Sequence, residues 1–337
     1  MDTPLLADFL TSWLDAQRTQ LQPSTWQEYE GNVRRYLVRH LGDRPVDQIS
    51  HRDLTALYHR LLTSGGVRGK PLALVSVHRI AAMVHKVFAD AVHDELIATN
   101  PADKARLPRL DTAAQPRELR IWTAEQLTAF LQAERHRPLW PLWVVAAGTG
   151  MRRGELLGLR WSDVDADTAT LHVRRALSSV AGQTRLKIPK SNRFRSLHVG
   201  PEVLHALEIQ QERQRQHATA PGRDLTAPES RDWGLVFTEP DGGHVRPQKV
   251  TDTWREAVRA APQPVIRFHD LRHTHASLLQ AGVSPHVVST RLGHASITTT
   301  LDLYAEVLPA MDEDAAIRFE QHVWGRPLAG QQEPEPH

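Results

Sequence analysis

One stretch of this chain is the most informative about its fold and its site. It reads His269-Asp270-Leu271-Arg272-His273-Thr274-His275, then Leu292-Gly293-His294, then Tyr304. It brings imidazoles, a guanidinium and a phenol together in a helical pattern. Arginine and histidine side chains neutralise phosphate oxygens, and a tyrosine oxygen can attack phosphorus. The stretch therefore predicts part of a phosphate site, whose other residues must lie elsewhere in the chain.

The spacing within this stretch leaves other interpretations open. His269 and Arg272 lie three residues apart, so both can point from one helix face at one anion. His269 and His273 lie four apart, the spacing of a helical zinc pair. Arg272 between them would oppose a cation, so we predict no metal here. In the plainest interpretation Tyr304 is a core aromatic residue and the histidines are interior groups with satisfied hydrogen bonds.

A second segment, residues 149–161, can supply a further guanidinium. Its glycines place Arg152 at a turn between two helices, from which the side chain can reach a cleft. Glu155 lies one helical turn later and can orient Arg152 or a neighbour. Taken alone, the segment fits an exposed arginine paired with a surface glutamate even better.

The composition limits the possible functions. With 337 residues, 40% of them hydrophobic and 24% charged, the chain is long enough for two globular domains. It has no cysteine, which excludes disulfides, zinc–thiolate sites and cysteine nucleophiles. From Thr300 onward there are eight acidic and two basic residues, so the first 299 residues carry a net charge of +8. A basic body is compatible with nucleic-acid binding, although an ordinary solvated surface fits as well.

The location of the protein follows from what the sequence lacks. The N-terminus is acidic, without the basic start of a secretory signal. The longest uncharged run is too short to span a bilayer. We therefore expect a cytoplasmic protein, associated with the nucleoid if it binds DNA.

The periodicity of apolar residues divides the chain into domains. Residues 1–101 show helical segments joined by short loops, which predicts a compact all-α domain. Ser50 with Asp53, and Thr123 with Gln126, form capping boxes that mark helix starts. Residues 102–121 have no period and predict a basic linker. Its positive residues are Lys104, Arg106, Arg109, Arg117 and Arg120.

Residues 122–327 are predicted to form the second domain. Residues 138–147 are apolar on all sides and predict a buried helix. Strands are predicted at 169–175, 184–188 and 195–199, the last two forming a hairpin around residues 190–192. The tail, residues 328–337, is rich in Gln, Pro and Glu and is predicted to be disordered.

These segments together resemble the sequence boxes of the tyrosine recombinases of the phage-integrase family, which are site-specific DNA recombinases. Residues 149–161 resemble the first arginine box, His269-x-x-Arg272 the second, and Leu292-Gly293-His294 with Tyr304 the last box and its nucleophile. The resemblance extends over about residues 5–310. It implies a mainly α (α+β) fold, with a helical SAM-like core-binding domain and a mostly helical catalytic domain. The latter contains a small antiparallel sheet, and the two domains clamp DNA.

The resemblance implies a role for each matching residue. Tyr304 attacks the scissile phosphodiester, giving a 3′-phosphotyrosine and a free 5′-hydroxyl. Arg152 and Arg272 hold the non-bridging oxygens, and His294 donates a hydrogen bond to them. His269 acts as a base toward Tyr304, or as another donor.

Further residues complete the implied set. Glu155 supports the arginines without touching the phosphate. In the family a hairpin lysine protonates the leaving 5′-oxygen; Lys190 best matches that position, with Lys187 as the alternative. No metal, nucleotide or other cofactor is implied, because arginines and histidines meet the phosphate charge.

The implied partner is double-stranded DNA with specific recombination sites. By resemblance, four protomers act together on DNA through a Holliday junction, and the free protein is a monomer or dimer. An accessory directionality factor is a further candidate partner, and an arm-binding domain is either naturally absent or truncated. The alternatives are an Xer-like chromosome or plasmid resolvase, a type IB topoisomerase-like relaxing enzyme, and an inert DNA-binding protein. The complete set of box residues argues against the last.

Overall fold

The computed structural model describes residues 3–66, 69–108, 120–180, 183–188, 194–218, 233–280, 283–294, 296–298 and 300–301. Within these ranges the chain is mostly helical, with two small antiparallel sheets, which confirms the predicted fold class. It divides into two compact units, Met1–Arg117 and a second made of Glu118–Ser179 and Gln183–His337. None of the described helices is long and apolar enough to cross a membrane.

The first unit is built from helices around one apolar core. They are α1 (Leu6–Gln17), α2 (Pro23–Asn32), α3 (His51–Thr63) and α4 (Leu74–His93), with a π-helical segment Val33–Val38 and a short turn Arg39–Leu41 after α2. The capping box at the start of α3 is confirmed, since the Ser50 N–H donates to the Asp53 carboxylate (2.9 Å). Leu107 packs against the core, so the beginning of the predicted linker lies on this unit.

The second unit has an aromatic core. Its helices are α5 (Ala124–Ala133), α6 (Trp140–Thr149), α7 (Arg153–Leu157), α8 (Pro201–Ala218), α9 (Pro247–Ala260), α10 (Asp270–Gln280) and α11 (Pro285–Leu292). Helix α6 is almost wholly buried, as its apolar residues predict. The Trp143 ring lies 5.1 Å from that of Trp254 and 5.5 Å from that of Phe268, measured between centroids. These contacts fix α6 and α9 beside the segment that leads into α10.

Short strands form the two sheets. They are β1 (Val164–Asp165), β2 (Thr170–Val173), β3 (Ala176–Val180), β4 (Gln183–Lys187) and β5 (Arg195–His198). One sheet has the order β1-β2-β5, and β3 pairs with β4 in the other. In the first sheet Leu171 faces Leu197 and Val173 faces Arg195.

The predicted hairpin between residues 184–188 and 195–199 is wrong. The first of these strands pairs with β3 and the second with β2. Strand β3 was not predicted; it is separated from β4 by residues 181–182 alone. A two-residue connection favours a local hairpin, and it takes β4 away from β5. Several other predictions fall outside the described residues: Tyr304, Lys190, Arg109, Arg117 and the tail 328–337.

Candidate phosphate-binding site

The turn between α6 and α7 presents the first arginine. Helix α6 ends at Gly150, whose φ of +63° is left-handed and favours glycine. A Cβ there would lie 2.7 Å from both His275 Cδ2 and Leu292 Cδ2, so no larger residue fits. The chain then becomes extended at Arg152, the N-cap of α7. The Arg152 N–H donates to the Glu155 carboxylate (2.9 Å), which fixes the start of this short helix.

A buried carboxylate lies between two guanidinium groups. Glu155 is 1% exposed and accepts from Arg152 Nη1 at 3.0 Å. The same two carboxylate oxygens accept from Arg195, Oε1 from Nη1 at 3.2 Å and Oε2 from Nη2 at 2.7 Å. Burial raises the pKa of Glu155, but the hydrogen bonds and charges of Arg195 and Arg152 outweigh it, so the pKa lies below its usual value. We call these three residues the Glu155 cluster; its carboxylate is ionised at neutral pH.

Three arginines donate hydrogen bonds to the carbonyls at the end of α11. The last carbonyls of a helix have no partner within the helix and carry partial negative charge. Here consecutive carbonyls each accept from a different guanidinium: Arg195 Nε to Arg291 O (2.8 Å), Arg272 Nη2 to Leu292 O (2.7 Å) and Arg152 Nη2 to Gly293 O (3.1 Å). The next residue is His294. One helix end therefore sets the positions of the box arginines and of the box histidine.

Arg272 is the most enclosed of the box residues. It is 4% exposed, and its Nη1 also donates to Gly150 O at 2.7 Å. Burial, followed by the charge of Arg152, lowers the pKa of Arg272 to about 9, so the guanidinium stays cationic at neutral pH. Two cations held side by side in a poorly hydrated position favour the binding of an anion.

Two neutral imidazoles flank these cations. His269 immediately precedes α10, and its ring lies 5.3 Å from that of His273. Desolvation, then the charges of His273 and Arg272, lowers the pKa of His269 to about 4, although part of the residue remains exposed. The pKa of His294 is also lowered to about 4, first by burial and then by Arg272 and Arg152. The Nδ1 of His294 lies 2.7 Å from Thr300 Oγ1; when that hydroxyl donates, Nε2 carries the proton and can donate to an anion.

The structure thus brings together most of the predicted site. Arg152, Arg272 and His294 lie at the end of α11, and Glu155 is bonded to Arg152. His269 lies close enough to Arg272 and Arg152 for their charges to lower its pKa. The interpretation of Arg152 as an exposed residue with a surface partner does not hold, because Glu155 is buried. Lys187 ends β4, whereas Lys190 and Tyr304 lie outside the described residues. Among the described residues, no group of three or more His, Cys, Asp or Glu side chains is placed to hold a metal ion.

Two residues that hold this site in place, Arg195 and Arg291, were not predicted from the sequence. Arg195 was predicted only as the start of a strand. A signal for it exists: Leu197, two residues later, is buried, so Arg195 points to the same inner face and needs an acidic partner. Arg291 was also missed; its guanidinium donates to Gly148 O (3.1 Å) and to His275 Nε2 (3.2 Å), joining α6, α10 and α11.

Family models match both parts of the chain. The model of the phage integrase family matches residues 121–311, and that of the phage integrase N-terminal SAM-like domain matches residues 5–62. The first match alone covers more than half of the chain and includes every residue of the site.

Relatives align along most of the chain. A tyrosine recombinase XerC-like protein of Caldanaerobacter subterraneus is 27% identical, over 92% of this chain and 81% of its own length. The ICEBs1 integrase of Bacillus subtilis is 26% identical, over 89% of this chain and 78% of its own length.

Solved structures share the fold at lower identity. The Tn1549 transposon integrase in complex with a circular intermediate DNA is 20% identical and superposes with a TM-score of 0.74, covering 93% of this chain and 100% of that one. The lambda integrase tetramer bound to a Holliday junction is 20% identical, with a TM-score of 0.64, covering 89% of this chain and 77% of that one.

Proposed function

This chain belongs to the phage integrase family of DNA strand-transferring enzymes, and we propose that it is a site-specific recombinase that integrates mobile DNA. One observation carries the proposal: Arg152 and Arg272 bond neighbouring carbonyls at one helix end, Gly293 O and Leu292 O. Their guanidiniums are therefore side by side before any substrate arrives. Preorganised positive charge of this kind stabilises a phosphorane, whose negative charge grows in the transition state.

The chemistry we propose follows from these positions. Each guanidinium has N–H groups left to donate to the non-bridging oxygens of the scissile phosphate. His294 donates through Nε2 to the same oxygens. His269 is neutral at pH 7, because its pKa is about 4, and can accept the proton of the attacking hydroxyl.

Strand cleavage then needs a nucleophile and an acid. We propose that the Tyr304 oxygen forms a bond to phosphorus as the bond from phosphorus to the 5′-oxygen breaks. His269 takes the tyrosine proton, and Lys190 gives a proton to the 5′-oxygen. The products are a 3′-phosphotyrosine and a 5′-hydroxyl, and the reverse reaction with a hydroxyl from another strand rejoins DNA. The roles of Tyr304 and Lys190 rest on family membership, since both lie outside the described residues.

The partners we propose follow from strand exchange. The substrate is duplex DNA with specific recombination sites, and four protomers exchange strands through a Holliday junction, as in the lambda integrase tetramer bound to such a junction. We propose that this strand exchange takes place in the cytoplasm, on DNA of the nucleoid. An accessory factor would set the direction of recombination.

Covalent capture of DNA tests the proposed chemistry. Nicked duplexes that tile the DNA flanking the gene serve as probes, because loss of a short fragment beyond the nick traps the protein on its site. Wild-type protein should become covalently attached to one of them, whereas Tyr304→Phe should bind the same duplex without attachment. Undiminished capture by Tyr304→Phe would remove Tyr304 as the nucleophile.

The general acid has its own test. A sulfur in place of the 5′-bridging oxygen leaves as a thiolate and needs no proton, so this substrate should restore cleavage by Lys190→Ala. Lys187→Ala is the matched variant. If the sulfur substrate restored cleavage by Lys187→Ala and not by Lys190→Ala, the general acid would be Lys187.

A further inference from the structure

The contacts of Arg195 set it apart from the other arginines of the site. All three nitrogens of its guanidinium already have partners within the protein: Nη1 and Nη2 bond Glu155, and Nε bonds Arg291 O. Its side chain is 7% exposed. Arg152 and Arg272, in contrast, each leave a nitrogen without a described partner, Nε. Arg195 is therefore poorly placed to hold a phosphate.

The partners of Arg195 are themselves connected to the box residues. Glu155, on one edge of the guanidinium, is the carboxylate that holds Arg152 through both its N–H and its Nη1. Arg291, on the other edge, begins the run of carbonyls that ends one residue before His294. Arg195 thus touches both supports of the site, the start of α7 and the end of α11.

Gly293 gives independent support for this packing. Its φ is +66°, and a Cβ at this position would lie 3.0 Å from Arg195 Nη1 and 3.2 Å from its Cδ. The stem and the guanidinium of Arg195 therefore lie directly against the backbone that precedes His294. A shift of Arg195 must move this backbone or leave a gap beside it.

We propose that Arg195 is a positioning residue of the phosphate site, which fixes the Arg152 guanidinium and the backbone bearing His294 relative to each other by bonding Glu155 and the Arg291 carbonyl together. This inference rests on the proposed strand-cleaving function. Arg195 acts through Glu155 and the end of α11, and does not touch the substrate. Its contribution lies in the alignment of two phosphate-binding groups, Arg152 at the start of α7 and His294 after the end of α11.

The same unit contains a matched control. Asp163 is 1% exposed and is bonded by Arg174 (3.4 Å) and Arg175 (2.6 Å). It also accepts from the backbone N–H of Arg160, three residues earlier, as Glu155 accepts from Arg152. We call Asp163, Arg174 and Arg175 the Asp163 cluster. Removal of Arg175, like removal of Arg195, takes one of two arginines away from a buried carboxylate.

The first test compares Arg195→Ala with Arg175→Ala. At saturating protein on the nicked duplex, Arg195→Ala should slow covalent capture about 100-fold, the usual consequence of misplacing a reacting group by about 1 Å. Its affinity for the duplex should change little, and Arg175→Ala should capture at the wild-type rate. Equal slowing of the two variants, or a loss of DNA affinity that accounts for the slow capture of Arg195→Ala, would overturn the proposal.

The second test asks whether Arg195 acts through Glu155. If it does, Arg195→Ala should add little to the slowing already caused by Glu155→Gln, so the effects of the two substitutions should not add. Fully additive effects would show that Arg195 acts by another route and would contradict the proposal.

The third test needs neither catalysis nor the alanine variant. Arg195→Lys keeps the positive charge but cannot bond both oxygens of Glu155 and Arg291 O together. In DNA-free protein, NMR titration should find that the pKa of His294, about 4 in the wild type, rises in Arg195→Lys. The pKa rises because the His294 imidazole becomes more hydrated and moves away from the charges of Arg272, Arg152 and His273, which lower it in the wild type. Arg175→Lys should leave it unchanged. An unmoved His294 in Arg195→Lys would contradict the proposal even if the protein captures DNA. Absence of capture by wild-type protein would instead refute the proposed function.

Discussion

Two buried carboxylates of the second unit are bonded alike, yet they differ in what surrounds them. Glu155 and Asp163 are each 1% exposed, and each accepts from a backbone N–H three residues earlier. Each is also bonded by two arginines, which complete the Glu155 cluster and the Asp163 cluster. Burial and ion pairing are therefore common to both and do not by themselves identify a functional site.

The difference lies in the other contacts of the arginines. In the Glu155 cluster, Arg152 and Arg195 also bond the carbonyls that precede His294, and Arg272 bonds the carbonyl between them. In the Asp163 cluster, the described hydrogen bonds of Arg174 and Arg175 end at Asp163. A buried ion pair becomes a candidate site where further cations and neutral imidazoles converge on it.

The largest difference between the two regions should come from removal of one arginine from each. Arg272→Ala should lower the rate of covalent capture about 1000-fold, since it removes preorganised charge from the transition state. Arg174 is 48% exposed, so Arg174→Ala should change the rate by no more than about threefold. Similar rates of covalent capture for Arg272→Ala and Arg174→Ala would show that the two regions do not differ in their role in catalysis.

Neutralising each carboxylate should separate stability from catalysis. Glu155→Gln should lower the free energy of unfolding by about 3 kcal/mol, because the buried Arg195 guanidinium loses a charged partner. Asp163→Asn should lower it by less, since Arg174 and Arg175 are partly exposed. Urea unfolding measures this. Capture should fall about 100-fold for Glu155→Gln alone. If Asp163→Asn slowed capture as much, loss of stability would explain both results.

Glycines beside the clusters offer a comparison of packing. Gly150 and Gly234 both have left-handed φ, +63° and +62°. Gly234 O accepts from the Trp161 N–H near the Asp163 cluster, and a Cβ on Gly234 would meet no atom of the described residues within 4 Å. Gly234→Ala should therefore cost only the backbone strain, about 1 kcal/mol. Gly150→Ala adds a clash with His275 and should cost about 3 kcal/mol. Equal thermal shifts would indicate that the α6–α7 turn is loosely packed.

A last difference should be a dependence of stability on pH that belongs to the Glu155 side. The pKa values of His275 and His294 are lowered to about 4 by burial and nearby arginines, whereas an unfolded chain binds these protons near pH 6.5. Stability should therefore be complete above about pH 6.5 and decline as the pH falls toward 4. His294→Asn should flatten this decline, as acid unfolding of DNA-free protein can establish; an unchanged decline would contradict the prediction.

The residues of the candidate phosphate site could be predicted from the sequence, whereas their chemical roles stay a prediction. Arg152, Glu155, Arg272, His269 and His294 were predicted from boxes far apart in the chain, and the fold brings them close together. Capping boxes at Ser50 and Thr123 were also predicted, because their side chains act locally.

The pairing of β4 and the role of Arg195 were not predicted, because both depend on contacts between residues distant in sequence. The partner of β4 was assigned wrongly, because alternation identifies a strand and not its neighbour. Arg195 was missed because one of its two acceptors is a backbone carbonyl, which every residue carries and no sequence pattern marks. The acceptors of Arg272, Gly150 O and Leu292 O, were hidden for the same reason.

Charge compensation at the scissile phosphate is the most direct test that Arg152 and Arg272 neutralise it. Capture is compared on two nicked duplexes, one with a normal scissile phosphate and one with an uncharged methylphosphonate at that position. Arg152→Ala and Arg272→Ala should recover most of their lost rate on the uncharged duplex, because less charge then needs stabilisation. Arg174→Ala should show no such gain. If Arg152→Ala and Arg272→Ala remain equally slow on both duplexes, these arginines do not neutralise the phosphate that is cut.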